Sequence, residues 1–90
     1  MKIKVLDAAT LGDDMDLSVF SSLGELTVYN KTSPEEVTKN TGDADVIIIN
    51  KVKVGSHNLS ECKNLKLICI MATGYDNIDV NYCREHSIAV

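Results

Sequence analysis

Five short runs of apolar residues, at positions 3–6, 26–29, 46–49, 65–70 and 88–90, constrain this chain more than any other feature. A strand that alternates apolar and polar residues covers one face of a sheet. A strand apolar at successive positions is buried on both faces, which is the pattern of parallel sheets. Val and Ile together number 17 against 8 Leu, a bias toward strand. The stretches between the runs read as helices. Residues 14–23 place Leu17 and Phe20 at near-helical spacing. Ser33-Pro34-Glu35-Glu36 is a capping box with proline at the first helical position, and Gly42 ends that helix. A short helix follows Ser56, and a last one runs from an Asp79 cap to about His86. Strands and helices in this alternation imply right-handed crossovers and an α/β fold. The expected architecture is a flavodoxin-like doubly wound parallel sheet of five strands.

The fifth run reaches Val90, the last residue, with no helix after it. The expectation is therefore an incomplete domain covering residues 1–90. The formal charge is −4, which argues against nucleic acid or an anionic membrane as partner, since both reward a basic face. The longest unbroken apolar run, residues 67–72, is far below the ~20 residues of a membrane helix. The opening Met1-Lys2-Ile3-Lys4-Val5-Leu6-Asp7 is no secretory signal, and a cytoplasmic location follows as the default. The three cysteines, Cys62, Cys69 and Cys83, form no CxxC, so neither a metal knuckle nor a redox dithiol is expected. Cys69 reads as a small core hydrophobe.

The five glycines stand at 12, 24, 42, 55 and 74, and the closest pair is 12 apart. Both GxGxxG and the phosphate loop GxxxxGK[ST] need glycines within six residues, so no cofactor-binding residue is assigned to this chain. Ligands of open α/β sheets bind beyond the carboxyl ends of the strands. Three loops have that address: 7–13, 50–55 and 72–77. In the last, Gly74 lets backbone amides approach a ligand closely in a strand-to-helix turn, though a lone glycine also serves turn geometry alone. In the second, the Lys51 ammonium reads equally as an anion contact or as a solvated surface group. His57 and His86 fall in helix termini and read as structural or solvent-facing. Asp13, Asp14 and Asp16 read as charges at a helix start, not as a metal site. Tyr75 suits either a ligand or a domain boundary.

The run Ala72-Thr73-Gly74-Tyr75-Asp76-Asn77-Ile78-Asp79-Val80, followed by Cys83-Arg84-Glu85-His86-Ser87-Ile88-Ala89-Val90, resembles the end of the substrate-binding domain of the D-isomer-specific 2-hydroxyacid dehydrogenases. Lys2-Ile3-Lys4-Val5-Leu6-Asp7 and Asp43-Ala44-Asp45-Val46-Ile47-Ile48-Ile49-Asn50-Lys51 resemble the same family. Asn50-Lys51 and Ala72-Thr73-Gly74-Tyr75 are most similar to its glycerate dehydrogenase (hydroxypyruvate reductase) branch. The resemblance implies reversible hydride transfer between NAD or NADP and a small 2-oxo acid, in a full-length parent that forms a homodimer. It implies that the Thr73 and Gly74 amides grip the substrate carboxylate and that Asn50 and Lys51 face the cleft. It places the family's catalytic Arg, Glu and His, and its cofactor, beyond position 90, so these ninety residues alone are expected to be inactive.

Two other readings of such a sheet are weaker. A phosphoacceptor receiver needs an acidic pair after the first strand and an Asp closing the third, whereas Asp7 stands alone and the third run closes in Asn50. A flavin-binding module needs a hydroxyl-rich loop after the first strand, and Asp7-Ala8-Ala9-Thr10-Leu11-Gly12-Asp13 carries one hydroxyl and two acids. Fold alone does not choose among these functions.

Overall fold

The computed structural model describes residues 1–11, 17–71 and 77–90. Four parallel strands, β1 (Lys2–Val5), β2 (Glu25–Val28), β3 (Val46–Ile49) and β4 (Leu67–Ile70), form one sheet in the order β2-β1-β3-β4. β1 pairs with β2 through Ile3↔Leu26 and with β3 through Ile3↔Val46, and β3 pairs with β4 through Ile47↔Ile68. The chain reverses direction between β2 and β3, so the switch point lies beside β1. All four residues of β3 are buried, as a run of Val-Ile-Ile-Ile requires at the centre of a sheet covered on both sides. The edge strand β2 is at most half-buried along its length.

The fifth run adds less than a strand. It contributes one parallel bridge, Leu67↔Ala89, in which the Ile68 amide donates to the Ala89 carbonyl (2.8 Å) and the Ala89 amide to Lys66 (2.9 Å). Ile88 is buried beside the sheet, while Ala89 and Val90 stay exposed. The spatial order is thus that of a flavodoxin-like sheet, with four full strands and a single-bridge fifth.

Three α-helices follow the expected pattern: α1 (Val37–Thr41), α2 (Ser56–Leu59) and α3 (Val80–Glu85). The segment Leu17–Leu23 differs, forming a 3-10 helix. Its Ser-Val and Ser-Ser pairs are poor helix formers, because short hydroxyls compete for backbone groups and Val is stiff at χ1. Pro34–Glu36 is a 3-10 turn leading into α1, where the Ser33 amide donates to Glu36 Oε1 at 3.0 Å. That bond, the largest influence on Glu36, holds its carboxyl below the usual range. A carboxyl depressed in the folded state stabilises at neutral pH, and the effect disappears as pH falls through its folded value. Glu36→Gln should therefore lower the urea midpoint at pH 7 and leave it unchanged at pH 2; equal loss at both would contradict the capping role. Gly42 closes α1 with φ of 52°, a backbone geometry that resists a side chain. Asp79 caps α3 by accepting from the Tyr82 amide (3.0 Å).

The two faces of the sheet are covered unequally. On one, Ile47, Ile49, Ile68 and Leu6 pack with Val37, Leu59 and Cys83 from the three helices. On the other, Ile3, Val5, Val46 and Ile48 meet Phe20, Leu26, Leu67 and Cys69. That second face holds an apolar hollow of about 330 Å³ between Met1, Phe20, Leu23 and Leu67.

Candidate functional site

The carboxyl ends of β1 and β3 are tied together by one side chain. Asp7 stands two residues past the end of β1 and is 5% exposed. Its Oδ1 accepts from the Asn50 amide at 2.9 Å, and its Oδ2 from the amides of Lys51 (2.6 Å) and Val52 (3.1 Å). Three charge-assisted bonds offset the cost of burying the carboxylate. On the far side of the same loop, Asn77 Nδ2 donates to the carbonyls of Val52 (2.7 Å) and Asn50 (3.4 Å). A parallel bridge, Val54↔Ile78, extends that contact. The loop after β3 is held both by its amides and by its carbonyls.

A second buried amide fixes the next stretch. Asn58, 4% exposed, accepts from the Gly55 amide (3.0 Å) and donates to Lys53 (2.9 Å) and Pro34 (3.3 Å) carbonyls. Gly55 is required by close approach: a Cβ there would stand 2.8 Å from Asp79 Cβ. On the other flank Thr32 Oγ1 donates to the Leu6 carbonyl (2.6 Å) and accepts from Asn40 Nδ2 (3.0 Å).

Between these two loops lies an open cleft of about 740 Å³, lined by Asp7, Ala9, Asn30–Pro34 and Lys51–Lys53. Lys31, Lys51 and Lys53 are all exposed. Because the Asp7 carboxylate already occupies the loop amides, the cations offered to a ligand here are side-chain ammonium groups. Three ammonium groups beside one cleft make it a place for an anion, in a chain whose net charge is −4.

Lys51 lines this cleft, whereas Asn50 is half-buried with its peptide group engaged by Asp7 and Asn77. Thr73, Gly74 and Tyr75 lie outside the described residues, as do Asp13, Asp14 and Asp16. His57 is exposed in α2. His86 is exposed at the end of α3, stacked on Tyr82 with ring centroids 4.1 Å apart. Burial pushes the thiols of Cys62, Cys69 and Cys83 up, away from the reactive thiolate. Cys69 is half-buried against Ile3 and its neighbours. Asp7, Asn58 and Asn77 are the site-building residues that spacing did not reveal. Their partners lie across the sheet, and the only signal was an acid ending the first apolar run.

Among the described residues no group of three His, Cys, Asp or Glu side chains could hold a metal, and no helix is long and apolar enough to cross a membrane. Nor do the described residues form a glycine-rich phosphate cradle at the carboxyl end of β1. The turn after β1 has a carboxylate at Asp7 where a phosphate cradle needs glycine, and the one positive-φ glycine among the described residues, Gly42, lies before β3, at the opposite end of the sheet.

Residues 4–90 match the family model for the catalytic domain of D-isomer specific 2-hydroxyacid dehydrogenases. Relatives include a hydroxypyruvate reductase from Blautia hydrogenotrophica, 39% identical over the whole of this chain and 29% of its own length. A glycerate dehydrogenase from Methylorubrum extorquens is 32% identical over 99% of this chain and 28% of its own. Among solved structures, an NAD⁺-bound 3-phosphoglycerate dehydrogenase from Entamoeba histolytica superposes with a TM-score of 0.78 and 26% identity, over 98% of this chain and 31% of that one. An acyclic imino acid reductase in complex with NADPH and D-Arg shares the fold (TM-score 0.83, 22% identity, over 98% of this chain and 29% of that one). The chain thus spans under a third of the length of these proteins. With 87 of its 90 residues inside one family model, on a sheet of the same fold as these enzymes, it belongs to the D-isomer-specific 2-hydroxyacid dehydrogenase family.

Proposed function

We propose that this chain is the substrate-binding part of a longer NAD(P)-dependent oxidoreductase, which interconverts a small 2-oxo acid of the glyoxylate or hydroxypyruvate type and its D-2-hydroxy acid. The observation that carries the reading is the lysine-rimmed cleft at the carboxyl ends of β1 and β3, the address where open α/β sheets take ligands. The names of the Blautia and Methylorubrum relatives favour the hydroxypyruvate and glycerate end of the substrate range.

In this reading the chain binds and orients the acid. The Lys51 ammonium draws in the carboxylate, and the backbone amides of Thr73 and Gly74 receive it. The nicotinamide cofactor, which supplies the hydride, is held by the remainder of the protein, as are the residues that move the proton. The parent is proposed to be a cytoplasmic homodimer.

The test is kinetic. In the full-length protein, Lys51→Met should raise KM for hydroxypyruvate about tenfold, the effect of one charge-assisted hydrogen bond, and leave KM for NADH unchanged. Thr73→Ala should change little, because the proposed contact is made by backbone. Equal KM for the acid in wild type and Lys51→Met would remove Lys51 from the site.

A further inference from the structure

We propose that Asp7, opposed by Asn77, is a positioning residue: it fixes the turn at 50–52 and thereby the place from which Lys51 presents its ammonium group. The inference rests on the substrate role of Lys51 given above and asks what makes that role possible.

Three consecutive amides converge on one buried carboxylate at 2.6–3.1 Å, which no turn of this loop could achieve by itself. Asp7 comes from the loop after β1, 43 to 45 positions earlier. The carbonyls of Asn50 and Val52 are meanwhile held by Asn77, from the segment after β4. The peptide before Lys51 is thus held from both sides, by Asp7 at its amide and by Asn77 at its carbonyl. The peptide after it is held by Asp7 through the Val52 amide, which leaves the side-chain torsions as the main freedom of Lys51. A lysine on a loose loop must be ordered by the substrate it binds, and that cost weakens capture. A lysine on a clamped loop has the backbone part of this cost met in folding. Asp7 lines the cleft but carries the same sign as the substrate, so its contribution runs through the loop and not through contact with the acid.

Asparagine at position 7 keeps the shape and loses the charge. Whichever way its amide turns, the NH₂ group would face at least one backbone N–H donor and the charge that strengthens the other bonds would be gone, so the turn would be loosened. A double-mutant cycle in the full-length protein reads the consequence. Asp7→Asn should raise KM for hydroxypyruvate roughly fivefold, leave KM for NADH unchanged, and add nothing further in a Lys51→Met background. General loosening of the fold would move both KM values and would add to Lys51→Met. Either of those results overturns the positioning role. If Lys51→Met raises KM while Asp7→Asn does not, the positioning role falls and the Lys51 reading stands. If Lys51→Met has no effect, both fall. Should Asp7→Asn not fold, Asn77→Ala releases the same turn from its half-buried carbonyl side. It should show the same selective rise in KM and the same loss of effect with Lys51→Met; additivity or no change there overturns the proposal equally.

Discussion

Asn58→Ala lowers the unfolding free energy by about 2–4 kcal/mol, an expectation built on three hydrogen bonds from one side chain at roughly 1 kcal/mol each, plus the desolvation cost of the groups left behind. The buried Gly55 amide loses its acceptor, and the carbonyls of Lys53 and Pro34 lose their donors. These partners belong to the segment before α1 and to the loop entering α2, so the loss is felt on both sides of the cleft. Asn58→Asp separates the two halves of the effect. Aspartate still accepts from Gly55 but turns a carboxylate toward two carbonyl oxygens, and it should be at least as damaging as alanine. Urea unfolding of wild type and both variants checks this. A loss below about 0.5 kcal/mol for alanine, the range of ordinary surface changes, would mean that water replaces the three contacts at no cost.

Ile49→Ala should cost about 2–5 kcal/mol, the range for truncating a fully buried aliphatic side chain. Ile49 is 0% exposed, lies in the central strand opposite Ile70, and packs within the cluster that joins the sheet to all three helices. The matched comparison is Val28→Ala on β2. Val28 is 44% exposed at the sheet's edge, and its truncation should stay within about 0.5 kcal/mol. Equal losses at the two positions would refute the assignment of β3 as the core of the sheet.

These two residues also mark what sequence reasoning reaches. Ile49 belongs to an apolar run, and a run with no polar break has nowhere to go but a strand buried on both faces. β3, its two-sided burial and the α/β architecture were legible for that reason. The start of α1 was legible because capping is a local event, written in Ser33, Pro34 and Glu36. The 3-10 geometry at Leu17–Leu23 was not, since apolar spacing alone does not distinguish 3.0 from 3.6 residues per turn over seven residues. Ile88 was foreseen as part of a strand, yet only one residue pair joins it to the sheet, because apolar character reports burial and not how far a ladder extends. In the candidate site, Lys51 could be named from its loop, at a strand's carboxyl end. Asp7 and Asn58 could not. Their importance lies in contacts with segments 43 and 24 positions distant, and no spacing rule within a single sequence encodes such pairs.

The strand order has a consequence for how this chain acquires its structure. β1 is made first, but its second partner, β3, is separated from it by more than 40 residues, with β2 joining on the other side in between. Closing such a distance must be met by entropy before any contact returns energy, and chains rich in distant pairings fold slowly. During synthesis Lys2–Val5 has only β2 to pair with until Val46–Ile49 has emerged. The earliest moment at which the sheet can acquire its buried centre is therefore set by the third strand, midway through these ninety residues, and until then the first strand presents an open edge to whatever else is nearby.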